Sequence, residues 1–194
     1  MVSGERKPHM INVLKGEMRP TNILFVDTET RTEEYATDTI VHRLKLGVAI
    51  HCRTIGDQTL KRQSELVFRR IEEFWNYAEL KCPGNSTLYL VAHNIVFDLV
   101  VLDGFIELIA RGWTLQSFYS KGMVSILRWQ KDKSRIVMLD NTNLFAGRLA
   151  KWGKVVGREK GHVEFEIVSD TDLEEYCRND VEIMVDLWRL WLAF

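Results

Sequence analysis

Two acids stand two residues apart in the segment ILFVDTET, Asp27 and Glu29, directly after the apolar run Ile23 to Val26. Residues i and i+2 of a strand point to one face, so both carboxylates emerge side by side at a strand end. Like charges so placed repel unless a cation lies between them, and hard divalent ions such as Mg²⁺ or Mn²⁺ take oxygen ligands. A third acid, Asp98, follows the apolar segment TLYLVAHN in the phrase His93-Asn94-Ile95-Val96-Phe97-Asp98. Near the residue where a helix opens, a carboxylate also serves as a cap. Phe97 beside it offers a wall on which a base could stack, and the Asn94 amide could bond a sugar or phosphate. Tyr176 and Asp180, four apart in a late helix rich in Leu, Met and Trp, share one face. A tyrosine one turn before a metal-holding aspartate can orient a water for attack.

These residues need elements to position them. The run Ile23 to Val26 reads as a buried strand opening at Asp27, and Thr30 to Thr39 as a polar loop. Val41 to Arg53 and Thr59 to Phe68 read as strands about a Gly56-Asp57 turn. Arg70 to Lys81 has helical spacing and stops at Cys82-Pro83-Gly84. Thr87 to Ala92 is a strand, and Asp98 to Arg111 a helix that is apolar nearly all round and stopped by Gly112. Met123 to Trp129 and Ile136 to Leu139 form a strand pair across the turn KDKS. Phe145 to Val156 is helical, ending at Gly157. The last helix opens on the capping box Thr171-x-x-Glu174 and runs to Trp188 and Trp191. Strands mixed with helices on both faces predict an α/β domain.

The 194 residues suit one domain, with 1–20 as a leader and 21–194 as a single unit. Three scattered cysteines, Cys52, Cys82 and Cys177, read as reduced thiols in an intracellular, cytoplasmic protein. No apolar run nears the length of a membrane span, and the N-terminus lacks the apolar segment of a secretory signal. The net charge is −1, yet it is unevenly spread: residues 111–160 hold eleven Lys/Arg against three Asp/Glu, and 161–194 hold two against nine. Such zones suit a surface that grips phosphates on one side and holds cations on the other. The C-terminal WRLWLAF ends apolar; packing onto its own sheet is one reading, a polymerase or other protein partner the other.

Taken singly, each carboxylate has a plain structural explanation. Together, D-x-E at a first strand end, N-x-x-F-D after a later strand and Y-x-x-x-D on a late helix resemble the three motifs of the DEDD exonuclease superfamily. The tyrosine version is indicated, because the histidine version would need His at position 175, where Glu175 stands. The segment from Leu139-Asp140 through Leu149-Ala150-Lys151-Trp152-Gly153-Lys154 to Lys160-Gly161-His162-Val163 is also similar to the exonuclease region of protein-primed family B DNA polymerases. One departure is Arg148 before Leu149, where that family carries Ser or Thr, which removes the hydroxyl contact expected there.

The resemblance covers Ile23 to Leu187 and implies a ribonuclease-H-like mixed central sheet flanked by helices. It implies 3′→5′ exonuclease activity on single-stranded or frayed 3′ ends of DNA, releasing nucleoside 5′-monophosphates. Asp27, Glu29, Asp98 and Asp180 would hold two Mg²⁺ or Mn²⁺ ions about 4 Å apart. Tyr176 would orient the water and Lys160 hold the phosphate, with Thr28, Thr30, Asn94 and Phe97 lining the terminal nucleotide. A polymerase region has no room in this length, so the chain would be freestanding or one domain of something longer. The rival readings are a ribonuclease D-type 3′→5′ exoribonuclease and a catalytically idle nucleic-acid-binding module.

Overall fold

A computed structural model describes residues 19–36, 39–55, 59–122, 124–161, 163 and 168–193. The Gly56-Asp57 turn, His162 and nearly all of the leader lie outside the described residues. Seven strands form one sheet in the order β3-β2-β1-β4-β7-β6-β5. The strands are β1 (Asn22–Ala36), β2 (Thr39–Ile55), β3 (Thr59–Phe68), β4 (Thr87–Ala92), β5 (Thr114–Lys121), β6 (Val124–Lys131) and β7 (Ser134–Asp140). The central strands β1, β4 and β7 run parallel, while β2, β3, β6 and β5 extend the sheet antiparallel on both sides. This is the mixed α/β sheet expected of a ribonuclease-H-like fold.

Alternation along β1 explains why the sheet is covered twice. Leu24 and Val26 pack beneath α1 (Ile71–Leu80), α2 (Ile95–Val101) and α3 (Gly104–Ala110), together with Phe74, Trp75 and Leu99. Ile23 and Phe25 face the opposite side, beneath α4 (Leu149–Val155) and α5 (Asp170–Leu192), with Leu173, Cys177, Val181, Met184 and Trp188. That α5 series recurs at three- and four-residue steps, the stripe an amphipathic helix buries. Trp188 and Leu192 are buried, so much of the apolar C-terminal segment packs onto its own sheet, although Leu190 and Trp191 stay partly exposed.

Several elements differ from expectation. The segment Thr30 to Ala36 is a strand, not a loop: it pairs with β2 as the outer arm of a long hairpin beyond a bulge at Glu29/Thr30. Its polar sequence hid this, because a hairpin arm satisfies its backbone through the ladder without an apolar face. The helix expected over Asp98 to Arg111 starts at Ile95 and breaks into two at Leu102-Asp103, where Asp103 takes φ +47°. Asp98 therefore sits inside α2 rather than opening it. Asp103-Gly104 is a turn signal, and a side chain on Gly104 would meet Leu99 Cδ1 at 2.0 Å. β5 went unread because nearly every residue in it is exposed, so no period shows. Helix α4 is shorter than expected, since Gly147 at φ +102° precedes it. The cap of α5 is Ser169, whose Oγ accepts from Asp172 N at 3.1 Å, and not Thr171.

Candidate active site

The site lies where β1 outruns its parallel neighbour. Pairing of β1 with β4 ends at Phe25↔Val91, so Asp27 and Glu29 continue into a gap flanked by α2 and α5. Asp98 comes from α2 and is buried; the Thr28 hydroxyl donates to its Oδ1 at 2.7 Å. Thr28, expected against the substrate, is itself buried and committed to holding that carboxylate. From the other side α5 brings Tyr176, Cys177 and Asp180. The Cys177 thiol donates to the Asp27 backbone carbonyl at 3.4 Å and lies 3.6 Å from its Oδ2. Asp27, Glu29 and Cys177 each place a potential ligand atom within 4.8 Å of the others, a spacing that one cation could bridge.

Charge and burial make this cluster costly without a cation. Desolvation raises Asp27 well above the ordinary carboxylate range, and the charges of Asp98, Asp180 and Glu29 push it further. Glu29 is pushed up to about 7, again by burial first and by Asp180 second. Burial likewise raises Asp98, against the pull of the Thr28 hydrogen bond. The charges of Asp98 and Asp180 thus reach Asp27, while among the described residues the 4.8 Å ligand spacing joins Asp27 and Glu29 with Cys177 and leaves Asp98 and Asp180 outside it. Asp180 is 2% exposed, and its Oδ1 is buried with no hydrogen-bond partner. Such an orphan oxygen costs free energy unless some donor or cation completes it. Hard oxygen donors from three elements, one of them unsatisfied, suit a hard divalent ion.

Lys160 ion-pairs with Asp180 Oδ2 and sits 5.0 Å above the Tyr176 ring. Burial alone would lower its pKa, but the charge and hydrogen bond of Asp180 outweigh this and hold the ammonium firmly protonated. Its position is built locally. Helix α4 ends in a Schellman arrangement: Gly157 takes φ +72°, and Arg158 N returns to Gly153 O at 2.8 Å. Gly153 permits this, since a Cβ there would lie 2.4 Å from Arg158 O. Arg158 then pairs with Glu182 and Asp186, and the Asn179 amide donates to Glu159 O at 2.9 Å, tying the segment to α5. Several cations of the basic stretch are thus paired within the molecule: Arg158 and Lys160 neutralise α5, and Arg111 and Lys131 meet Glu79. The two charge zones meet through Arg158 and Lys160.

Toward the hairpin, the Thr30 hydroxyl lies 3.2 Å from His42 Nδ1, and His42 meets Phe97 edge-on at 5.6 Å. Phe97 is 37% exposed, and Asn94 is exposed with φ +78°, a conformation Asn tolerates better than most residues. On the far side of Lys160 a cleft of about 480 Å³ is lined by His93, Gly147, Arg148, Leu149, Ala150 and Lys160. Arg148, the departure from the resembling family, therefore faces this cleft.

Three contributors escaped sequence reasoning. Asp140 is buried and accepts from the backbone N–H groups of Asn94 (3.2 Å), Ile95 (3.1 Å) and Thr142 (2.8 Å), so it anchors the start of α2. Its place after the apolar run Ile136 to Leu139 was the available signal. Asn141 accepts from the Trp188 indole at 3.0 Å and bonds His93 Nδ1 at 3.1 Å, linking α5 to the cleft. Cys177 lies between Tyr176 and Asp180, on the side of α5 that meets β1.

The arrangement belongs to the α/β class of mixed-sheet, ribonuclease-H-like domains. Among solved structures the chain is similar to phi29 DNA polymerase complexed with single-stranded DNA, at a TM-score of 0.58, and with primer-template DNA, at 0.57. Identity is 11% in both cases, and the match covers 90% of this chain but 32% of the polymerase chain, so this chain spans about a third of that protein's length. At that identity the likeness establishes a shared, DNA-polymerase-related fold. No family model and no curated protein matches the sequence. Among the described residues no helix is long and apolar enough to cross a membrane.

Proposed function

We propose that this chain is a divalent-metal-dependent 3′→5′ exonuclease of the tyrosine-containing DEDD type, acting on single-stranded or frayed 3′ ends of DNA and releasing nucleoside 5′-monophosphates. One observation carries the reading: four acids from β1, α2 and α5 gather with raised pKa values, and a buried Asp180 oxygen has no partner. Asp27, Glu29, Asp98 and Asp180 would hold two Mg²⁺ or Mn²⁺ ions. When bound, such ions neutralise the phosphate and ease deprotonation of the attacking water. The similarity to a polymerase solved with single-stranded and primer-template DNA favours a DNA end as substrate.

The chain's own residues supply the rest. The Tyr176 phenol stays protonated, since burial raises its pKa, and can orient the water by hydrogen bonding. The Lys160 ammonium, paired with Asp180 here, would meet charge developing on the scissile phosphate. Phe97 offers its exposed ring to the terminal base, and Thr30 and Asn94 offer polar contacts to sugar or phosphate. Unpairing must precede entry, so frayed ends should react before paired ones.

The test is Mn²⁺-dependent degradation of labelled single strands of DNA and RNA, each with a free or a blocked 3′ end. Release of nucleoside 5′-monophosphates from the free DNA end alone is expected. Equal degradation of blocked strands would overturn the reading, faster loss of RNA would favour the ribonuclease D type, and no degradation would favour an idle binding module.

A further inference from the structure

On the face of the sheet that carries α1–α3, a groove of about 380 Å³ opens beside His42. Its walls are the outer β1–β2 hairpin, the start of α1 and the junction of α2 with α3. Arg31 and Arg43 line it from the hairpin, and Arg69 and Arg70 from the α1 side. Leu44, Ile71, Val100 and Val101 supply an apolar floor. Four guanidiniums around one groove make a surface for anions, and their planar forks match phosphate oxygens.

Carboxylates are also present: Glu72 and Asp103 line the groove itself, so four guanidiniums there face two acids. Glu33 lies 3.3 Å from Arg31 and 2.8 Å from Arg43, Glu73 lies 2.8 Å from Arg70, and Glu174 lies 3.6 Å from Arg69. The four arginine side chains are 50–71% exposed, so these are surface pairs of small worth that a phosphate can replace at little cost.

The groove continues from the candidate active site through one residue. His42 lines it while contacting Thr30 and Phe97, the residues proposed to receive the terminal nucleotide. Val100 and Val101 lie about one helical turn beyond Phe97 on α2, so a strand leaving Phe97 along that helix enters the groove directly. We infer that this groove binds the phosphodiester backbone of the single strand whose 3′ end lies at the carboxylates, one or more nucleotides upstream of the scissile bond. The inference rests on the proposed exonuclease reading. Apolar floor and arginine walls carry no base-edge pattern, so the contact is independent of sequence and sensitive to salt.

The test uses the full chain with 5′-fluorescein oligothymidylates of about three and about twelve nucleotides, protected by 3′-terminal phosphorothioate linkages. Fluorescence anisotropy across a salt series reads the affinity of each. The longer strand should bind more tightly, with a log–log salt slope steeper by about 0.7 for each added phosphate contact. R43Q/R70Q should cut the ratio of long- to short-strand affinity by roughly tenfold and flatten the long-strand slope by about 1.4, while R43K/R70K keeps most of both. An unchanged ratio and slope in R43Q/R70Q would overturn the inference while leaving the exonuclease reading intact, as would a wild-type chain indifferent to strand length. A wild-type chain that binds neither strand and releases no nucleotide from the same strands without the phosphorothioates would overturn both.

Discussion

Burial raises the carboxyls of Asp27, Glu29 and Asp98, and each ionised neighbour makes the next harder to ionise. An acid whose pKa is higher folded than unfolded binds more protons when folded, so its contribution is complete below the unfolded value and lost as pH rises through the folded one. For Glu29 that window runs from its ordinary 4.5 to about 7. Under the proposed function a divalent ion would bind the ionised cluster and offset the repulsion. Thermal unfolding should therefore show a Mn²⁺-induced rise in Tm that is larger at about pH 8 than at about pH 5. Glu29→Gln should blunt the difference, and an equal rise at both pH values would contradict the account. His51, pushed down to about 4 by burial, acts in the opposite sense as pH falls below its ordinary value. Comparing samples with and without the ion cancels it. At this scale the five candidate residues stand out in the sequence because Asp27 and Glu29 alternate directly after an apolar run, Asp98 follows a second one, and Tyr176 and Asp180 share a helix face. The structure puts Asp27 and Glu29 inside β1, not at a strand end. Asp140 was not, since its role depends on N–H groups 45 and 46 residues away in sequence.

Elements decide where those residues can be. The start of α2 is pinned by the Asp140 carboxylate, and α2 carries Asp98, Phe97 and part of the proposed strand groove. Asp140→Ala should remove those bonds, leave the buried Ile95 N–H unmatched and lower stability by about 2 kcal/mol. In a chain of this size that is roughly 4–8 °C in Tm. Differential scanning calorimetry checks it, and an unshifted midpoint would show that α2 is held by packing alone. Local patterns revealed β3, β4, α1 and the β6–β7 hairpin, since apolar periods and breakers coincide there. The outer half of β1 and all of β5 were hidden, because exposure on both faces erases the two-residue period. Asp103-Gly104 shows the opposite failure: the turn signal was present, but apolar residues on both sides of it masked the break. The α5 cap fell at Ser169, two residues early, because Ser and Thr are both competent caps and local geometry chose between them.

At the scale of the molecule, two hydrophobic cores grip one sheet, and the gap where β1 passes the end of β4 is left to the acids. The fold class was legible from the order of elements, and the resemblance to DNA polymerases agrees, in fold, with a structural match over 90% of the chain. Charge was less legible: four cations of the basic stretch, Arg111, Lys131, Arg158 and Lys160, pair with Glu79 or α5, which a linear count cannot show. The central claim is that the four acids act as one cation-holding, phosphodiester-cleaving cluster. The most direct measurement is the rate of nucleoside 5′-monophosphate release from an unblocked DNA strand in Mn²⁺, comparing wild type with Asp27→Asn/Glu29→Gln. The account predicts a loss of at least about 10³-fold, the scale at which charge-stabilising groups act. Undiminished release by the double variant would contradict it.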